Sequence, residues 1–332
     1  MRHNKVVASR KGMVILGVVV ALAVVIGWSD RAYYAQPAPT ADGSNHAKAE
    51  PADGDVYFGV STDIGRLGAF EKAAGLDGHP AIYDQYTTPD GAFAPTLNNA
   101  ATVPGMTPMV SWNLSLADGT VTLGGHDSYL WAQADAVRAF GKPVFVRLDW
   151  EMNSTVGVYP QWNLPAVTPA QYIAAWRHVY GVFQQAKATN AVFVWCPNLW
   201  SGPNGTPTAD WYPGDAYVDW MGVDAYPQSA PVNTIMDLPD GLTDTAKFAA
   251  AHHKPLMVGE WAPNLPEPDT AAAMQLIPDY AAQYPKTVKA LVYFDFTGGG
   301  KDYTLVDHPV GAAALRKIID GNSHYLSTVV GA

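Results

Sequence analysis

Eight short runs of apolar and β-branched residues recur between residues 56 and 294, at Val56–Ser61, Ala81–Tyr86, Thr107–Trp112, Pro143–Leu148, Ala191–Cys196, Val218–Val223, Pro255–Gly259 and Ala290–Phe294. Each has the length of a strand. Their near-continuous hydrophobicity is that of parallel strands buried on both faces, not of strands with one face in water. Helical spacing, with apolar residues returning at three and four, is clearest at Asp127–Phe140, Pro169–Ala188, Leu242–His252, Asp269–Ala282 and Val310–Ile319. Strand alternating with helix eight times over residues 56–332 predicts an α/β fold, a (β/α)8 TIM barrel forming one domain. A doubly wound open sheet is the alternative, and it too gathers the C-terminal ends of its strands at one crest.

Ahead of that domain, Arg2, His3, Lys5, Arg10 and Lys11 precede an unbroken apolar stretch from Met13 to Trp28. It is apolar all round and has no polar face to turn away from a core, so it reads as an export signal. Its length falls between that of a signal-peptide core and the ~20 residues that comfortably span a bilayer. Residues 1–30 are therefore expected to be a signal peptide or a single-pass membrane anchor, with the basic flank inside and the rest of the chain at the cell surface or secreted. Residues 31–55, rich in Ala, Pro, Asp and Gly from 36 onward, are expected to be a flexible linker.

The formal net charge of −10 argues against a nucleic-acid surface. A lone cysteine, Cys196, excludes an intrachain disulfide and, behind Val192–Trp195, reads as a small buried hydrophobe. The nine histidines show no metal-ligand spacing and no glycine-rich phosphate loop follows a strand, so neither metal nor cofactor is implied. The chain is expected to act as a monomer.

Two segments place a glutamate where a strand-like run ends: Arg147-Leu-Asp-Trp-Glu-Met-Asn153 and Met257-Val-Gly-Glu-Trp261. In a barrel, the strand ends that form the active face then carry Asp63, Tyr86, Trp112, Glu151, Asn198, Tyr226, Glu260 and Phe294 or Asp295. Aromatic rings match the flat C–H faces of pyranoses, and carboxylates and amides match their hydroxyls, so a polysaccharide substrate is indicated. A pair of carboxyl groups at a cleft mouth is also what glycoside cleavage needs: one as proton donor, one as nucleophile. Arg147, four residues before Glu151, is placed to pair with a barrel carboxylate.

Four segments, Val144-Phe-Val-Arg-Leu-Asp-Trp-Glu-Met-Asn153, Val194-Trp-Cys-Pro-Asn198, the stretch from Trp211 to Tyr226, and Gly259-Glu-Trp261, resemble glycoside hydrolase family 26 in order and spacing. Phe58-Gly-Val-Ser-Thr-Asp63 and Asp302-Tyr-Thr-Leu-Val-Asp307 extend the resemblance over nearly all of residues 56–320. It implies a retaining enzyme of the large barrel clan, acting on a β-linked polysaccharide as a β-mannanase-like or β-glucanase-like hydrolase. Glu151 matches the acid/base, Glu260 the nucleophile and Tyr226 a donor to that nucleophile. Retention implies carboxyl groups about 5 to 5.5 Å apart. Asn198, Asp224, Trp112, Trp200, Trp261 and Phe294 are candidates for wall or platform roles, and Asn153 fits the family's motif. The family usually has histidine where this chain has Trp150, which supplies an apolar face and one N–H but no acceptor nitrogen. The resemblance therefore does not fix the polymer. Two other readings fit the same residues: a membrane-tethered transglycosylase remodelling envelope glycans, and an inactive carbohydrate-binding protein.

Overall fold

The computed structural model describes residues 47–332 apart from 89, 115–120, 155–166, 200–205, 228–230, 264–268 and 299. The expected signal or anchor segment lies outside the described residues, as does Trp200. Among the described residues, no helix is long and apolar enough to cross a membrane.

Eight strands follow in chain order: β1 (Val56–Ser61), β2 (Ile82–Thr87), β3 (Thr107–Trp112), β4 (Val144–Leu148), β5 (Ala191–Trp195), β6 (Trp220–Asp224), β7 (Leu256–Trp261) and β8 (Val288–Phe294). Each pairs in parallel with the next, and β8 returns to β1 with Tyr57 opposite Ala290 and Ser61 opposite Phe294, closing the sheet. The structure is thus the (β/α)8 barrel that the alternation predicted, not an open sheet. A two-residue strand, Tyr325–Leu326, adds to the start of β1.

Among the described residues seven α-helices cover the barrel: α1 (Leu67–Ala74), α2 (Ala94–Ala101), α3 (Asp127–Phe140), α4 (Pro169–Gln185), α5 (Leu242–Ala251), α6 (Asp269–Gln283) and α7 (Pro309–Asp320). The longest, α4, starts on a capping box in which Thr168 accepts from the Gln171 amide and Gln171 accepts from the Thr168 amide. The sequence reading missed α1 and α2. Both span only eight residues, α2 contains Pro95, Asn98 and Asn99, and tertiary burial of Phe70 and Leu97 rather than intrinsic propensity holds them. The alternation also breaks once: among the described residues between β5 and β6 there are only two 3-10 turns, Thr208–Trp211 and Asp215–Tyr217, where a helix was expected.

Side chains alternate along each strand between two apolar regions. Tyr57, Ile82, Met109, Phe145, Val192, Val194, Trp220, Met257 and Val292 fill the barrel interior. Val60, Tyr83, Val110, Val146, Phe193, Val223, Val258 and Tyr293 face the helices and join Phe70, Leu130, Val179 and Phe183 in the outer core. Toward the C-terminal ends the inward positions become polar: Ser61, Asp84, Ser111, Arg147 and Asp224 are all buried there. The apolar lower barrel supports a polar stratum, and the mouth opens above it.

Residues 47–55, expected to be spacer, are laid instead against the N-terminal ends of the strands. Trp220 Nε1 donates to Lys48 O at 2.7 Å, and Gly54 N donates to Pro285 O at 2.9 Å. Lys289, whose side chain is 0% exposed, ends in this strap: its Nζ reaches Asp53 Oδ1 at 2.9 Å and Ala52 O at 3.1 Å. No hydrophobic periodicity marks the strap, because polar contacts of Lys48, Asp53 and backbone groups hold much of it, with only Ala49 and Pro51 as apolar residues turned to the barrel. A chain starting at residue 56 strands a buried ammonium and an indole N–H. We expect it to be about 2–4 kcal/mol less stable than one starting at residue 47, lowering Tm by on the order of 5–10 °C. Lys289→Met in the shorter chain should restore part of that loss, as differential scanning calorimetry would measure.

Candidate active site

Strand alternation by itself would send Glu260 outward with Leu256 and Val258. An irregularity in β7 prevents this: Val223 lies opposite Val258 but Asp224 lies opposite Glu260, and on the other side Val258 faces Leu291 while Trp261 faces Tyr293. One extra residue is accommodated at Gly259–Glu260, which turns Glu260 into the barrel mouth and Trp261 out. Gly259 has to be glycine there. A Cβ at this position would meet Asp224 Oδ1 and Cys196 Sγ at 3.0 Å and Arg147 Nε at 3.2 Å.

Glu151 reaches the mouth by a different irregularity. Asp149 and Glu151 both have left-handed backbones, with φ of 39° and 56°, which is rare for residues with a side chain. Glu151 N donates to Cys196 O at 2.8 Å, so the turn after β4 is stitched to the end of β5. Beyond it, Asn153 and Asn198 exchange hydrogen bonds: Asn198 N donates to Asn153 Oδ1 at 2.8 Å and Asn153 Nδ2 donates to Asn198 O at 2.9 Å. Asn198 Nδ2 then donates to Glu151 Oε1 at 2.7 Å.

The two glutamates have unlike surroundings. Three donors converge on Glu260: Arg147 Nη1 at 2.7 Å and Tyr86 OH at 2.8 Å on Oε1, and Tyr226 OH at 2.6 Å on Oε2. Burial first, then the negative charge of Glu260, pushes both phenols well above the usual tyrosine range, so they remain protonated donors. Glu151, by contrast, faces the Asn198 amide.

Arg147 joins the elements. Fully buried, it donates to Ser111 Oγ at 3.0 Å on β3, to Asp224 on β6 and to Glu260 on β7. Burial alone would favour its neutral form, but Asp224 foremost, with Cys196 and Glu260, holds the guanidinium charged. Its carbon lies 5.2 Å from the centre of the Trp150 ring. Trp150 is 7% exposed and packs at 5.3 Å against Tyr86, so it supports the site from beneath. Deeper still, Asp84 accepts from Ser61 Oγ and Ser111 Oγ, each at 2.8 Å.

The structure therefore gathers Arg147, Trp150, Glu151, Asn198, Asp224, Tyr226 and Glu260 around one mouth, with Phe294 half-buried against Tyr226 and Tyr86. Two of the expected site residues are elsewhere. Trp112 follows Ser111, which faces inward, so its ring points outward among Phe93, Tyr129 and Phe183. Trp261 is turned out by the β7 irregularity and meets Tyr293 edge-on, with ring centres 5.3 Å apart. Both are fully buried in the outer core and offer no surface to a ligand. Cys196 is buried as expected but does more than fill space, since its Sγ donates to Asp224 Oδ1 at 3.2 Å. Sequence reasoning placed Tyr86 at the mouth without its role as a second phenol on Glu260, and it missed Asp84 and Ser111. Their inward parity with Ile82 and Met109 was the available signal.

A parallel barrel with glutamates at the ends of its fourth and seventh strands, the second held by an arginine and two tyrosines, has the layout that the glycosidase class uses. Residues 126–262 match the family model described as glycosyl hydrolase family 26. The chain is 32% identical over 120 residues, 35% of its length, to endoglucanase H of Acetivibrio thermocellus, and 30% identical over 130 residues, 37% of its length, to the β-1,3-xylanase TXYA of a Vibrio species. Those matches span 13% and 24% of the two relatives. The fold is shared with a modular endo-β-1,4-mannanase from Cellulomonas fimi, at a TM-score of 0.62 and 16% identity over 84% of this chain and 73% of that one. The resemblance to glycosyl hydrolase family 26 is thus borne out by the family model over residues 126–262, and the barrel is one that solved members of that family share.

Asp84 gives the site a pH signature in stability. Burial, opposed chiefly by Arg147, pushes its carboxyl up to about 6 from 3.8. The native state thus holds a proton between those values that the unfolded chain releases, and this group's contribution to stability falls as pH rises through that window. Asp84→Asn cannot ionise. Its stability relative to the wild type should rise between pH 4 and 7 by about 3 kcal/mol, as urea unfolding across that range would show.

Proposed function

We propose that this protein is a retaining glycoside hydrolase that cleaves a β-linked polysaccharide, acting as an endo-β-mannanase-like or β-glucanase-like enzyme. The observation that carries this reading is the asymmetry of the two glutamates. Glu260 is held by a guanidinium and two phenols, the surroundings of a carboxylate nucleophile, while an uncharged amide, Asn198 Nδ2, donates to Glu151 Oε1. In the first step Glu151 gives its proton to the glycosidic oxygen as Glu260 attacks the anomeric carbon, forming a glycosyl–enzyme ester and releasing the leaving sugar. In the second, Glu151, now a carboxylate, takes a proton from water, which attacks the same carbon and frees Glu260. Each displacement inverts the centre, so the product keeps its β configuration.

Arg147 and Tyr226 have defined parts in this cycle. As the ester forms, negative charge leaves Glu260, and the donors that held the carboxylate are positioned to take it back at the second step. The half-buried rings of Tyr226, Phe294 and Phe296 at the mouth suit the C–H face of a pyranose. The names of the relatives, an endoglucanase, a β-1,3-xylanase and a β-1,4-mannanase, support a β-linked backbone. Residues upstream of the strap are proposed to export the domain and either release it or hold it at the cell surface.

The test is reducing-end release from mannan, glucomannan, mixed-linkage β-glucan and β-1,3-xylan by the chain from residue 47 onward. Glu260→Ala should lower turnover by about four orders of magnitude or more, and Tyr226→Phe by about 10- to 100-fold. Proton NMR of the first product formed should show the β anomer. An initial α anomer would mean inversion. Polymer binding without any new reducing ends would mean a binding protein, and product lengthening would mean a transglycosylase.

A further inference from the structure

The turn that delivers Glu151 is held by a carboxyl group that the double displacement does not use. Asp149 follows the last residue of β4. Its amide donates to Trp112 O at 2.8 Å and its Oδ1 accepts from Leu114 N, also at 2.8 Å. One residue thus grips two points of the chain leaving β3. Two residues on, Glu151 N bonds to Cys196 O on the far side, at the end of β5. Between these anchors the backbone crosses from one neighbouring strand to the other through two left-handed residues, at φ of 39° and 56°. Each such residue costs on the order of 1 kcal/mol, so the conformation persists only where neighbouring bonds over-determine it.

We infer that Asp149 is a positioning residue for the acid/base: its carboxyl, clasped to the Leu114 amide, fixes the left-handed turn that aims Glu151 at the glycosidic oxygen. The inference rests on the reading of Glu151 as proton donor. Asp149 touches no reacting atom, being 5% exposed and buried behind the turn. Among the described residues its Oδ2 has no hydrogen-bond partner, and the nearby Tyr172 hydroxyl has none either. An ionised carboxylate would hold a buried charge against a single donor there, whereas the neutral acid leaves at most one O–H unsatisfied, the smaller cost. Burial accordingly pushes the Asp149 carboxyl well above the usual carboxylate range. A neutral clasp also keeps a further negative charge away from Glu151, whose task begins with a proton.

A general acid is needed in proportion to the basicity of the leaving group, and this separates misplacement of Glu151 from general damage. Polymer cleavage expels a sugar alkoxide and needs the proton. A 2,4-dinitrophenyl β-glycoside of the same sugar expels a stable phenolate and does not. We expect Asp149→Ala to lower kcat on polymer about 10- to 100-fold with KM within about twofold, and kcat/KM on the dinitrophenyl glycoside by less than about threefold. Asp149→Asn, which is neutral and keeps the acceptor and a preference for left-handed backbone, should return both to within about threefold of the wild type.

Equal losses on both substrates, a wild-type-like Asp149→Ala, or an Asp149→Asn that fails on polymer would each overturn the inference. The Asn result stands even if the alanine variant does not fold. Glu151→Ala, assayed beside them, isolates the underlying reading: if it shows no dependence on the leaving group, Glu151 is not the proton donor. Crystal structures decide the placement apart from any assay. In Asp149→Ala the 2.7 Å contact between Asn198 Nδ2 and Glu151 Oε1 should be broken, and in Asp149→Asn it should remain; an unmoved Glu151 in the alanine variant would overturn the clasp.

Discussion

A fully buried guanidinium in the upper barrel sets the terms for the residues around it. An unpaired charge in that position would cost several kcal/mol at least, so Arg147 obliges the barrel to supply counter-charges and acceptors on β3, β6 and β7 at once. Asp224 and Glu260 answer the charge, Ser111 answers one more N–H, and Gly259 stays bare because any Cβ there would collide with the pair. Lysine could not replace it. A single ammonium cannot reach a hydroxyl and two carboxylates on three strands, whereas the planar fork presents donors in those directions without further ordering. The position of Glu260 is therefore a consequence of satisfying Arg147, as much as the reverse.

Trp150 follows from the same constraint. In sequence it reads as an apolar surface for a sugar, but in the fold it lies against the guanidinium and Tyr86 and is almost wholly covered. Its ring excludes water from the cation and faces it with the π cloud, so that the charge is spent on carboxylates and not on solvent. On the proposed function, discrimination among polymers rests with groups that remain open at the mouth, among them Tyr226, Phe294 and Phe296.

The barrel was legible because its strands are buried on both sides and so announce themselves as continuous apolar runs; all eight were placed to within a few residues. The helices were legible only where they are long: α1 and α2 depend on burial of single residues such as Phe70 and Leu97, and no periodicity of useful length marks them. The missing helix between β5 and β6 was hidden because two 3-10 turns anchored by Trp211 and Tyr217 occupy a similar length of chain. In the site, position at a strand end proved a weaker guide than parity. Trp112 and Trp261 sit at strand ends and face away from the mouth, while Asp84 and Ser111, which were passed over, face in. The inward alternation of Ile82, Asp84 and Tyr86 was available in the sequence without any structure.

What parity could not show is how the two glutamates come to point upward, since neither occupies regular strand geometry. A regular strand offers its side chains to the barrel interior or to the helices, and neither direction meets a ligand lying across the mouth. Glu260 escapes through the extra residue at Gly259, and Glu151 through two left-handed residues between β3 and β5. Both devices carry weak sequence marks, a glycine inside an apolar run and an aspartate just past one, and each is held by hydrogen bonds to adjacent strands. The irregularities are confined to the last residues of their strands because the barrel below is complete without them. A closed, apolar lower half tolerates local strain at its rim, and that strain is where the two glutamates stand.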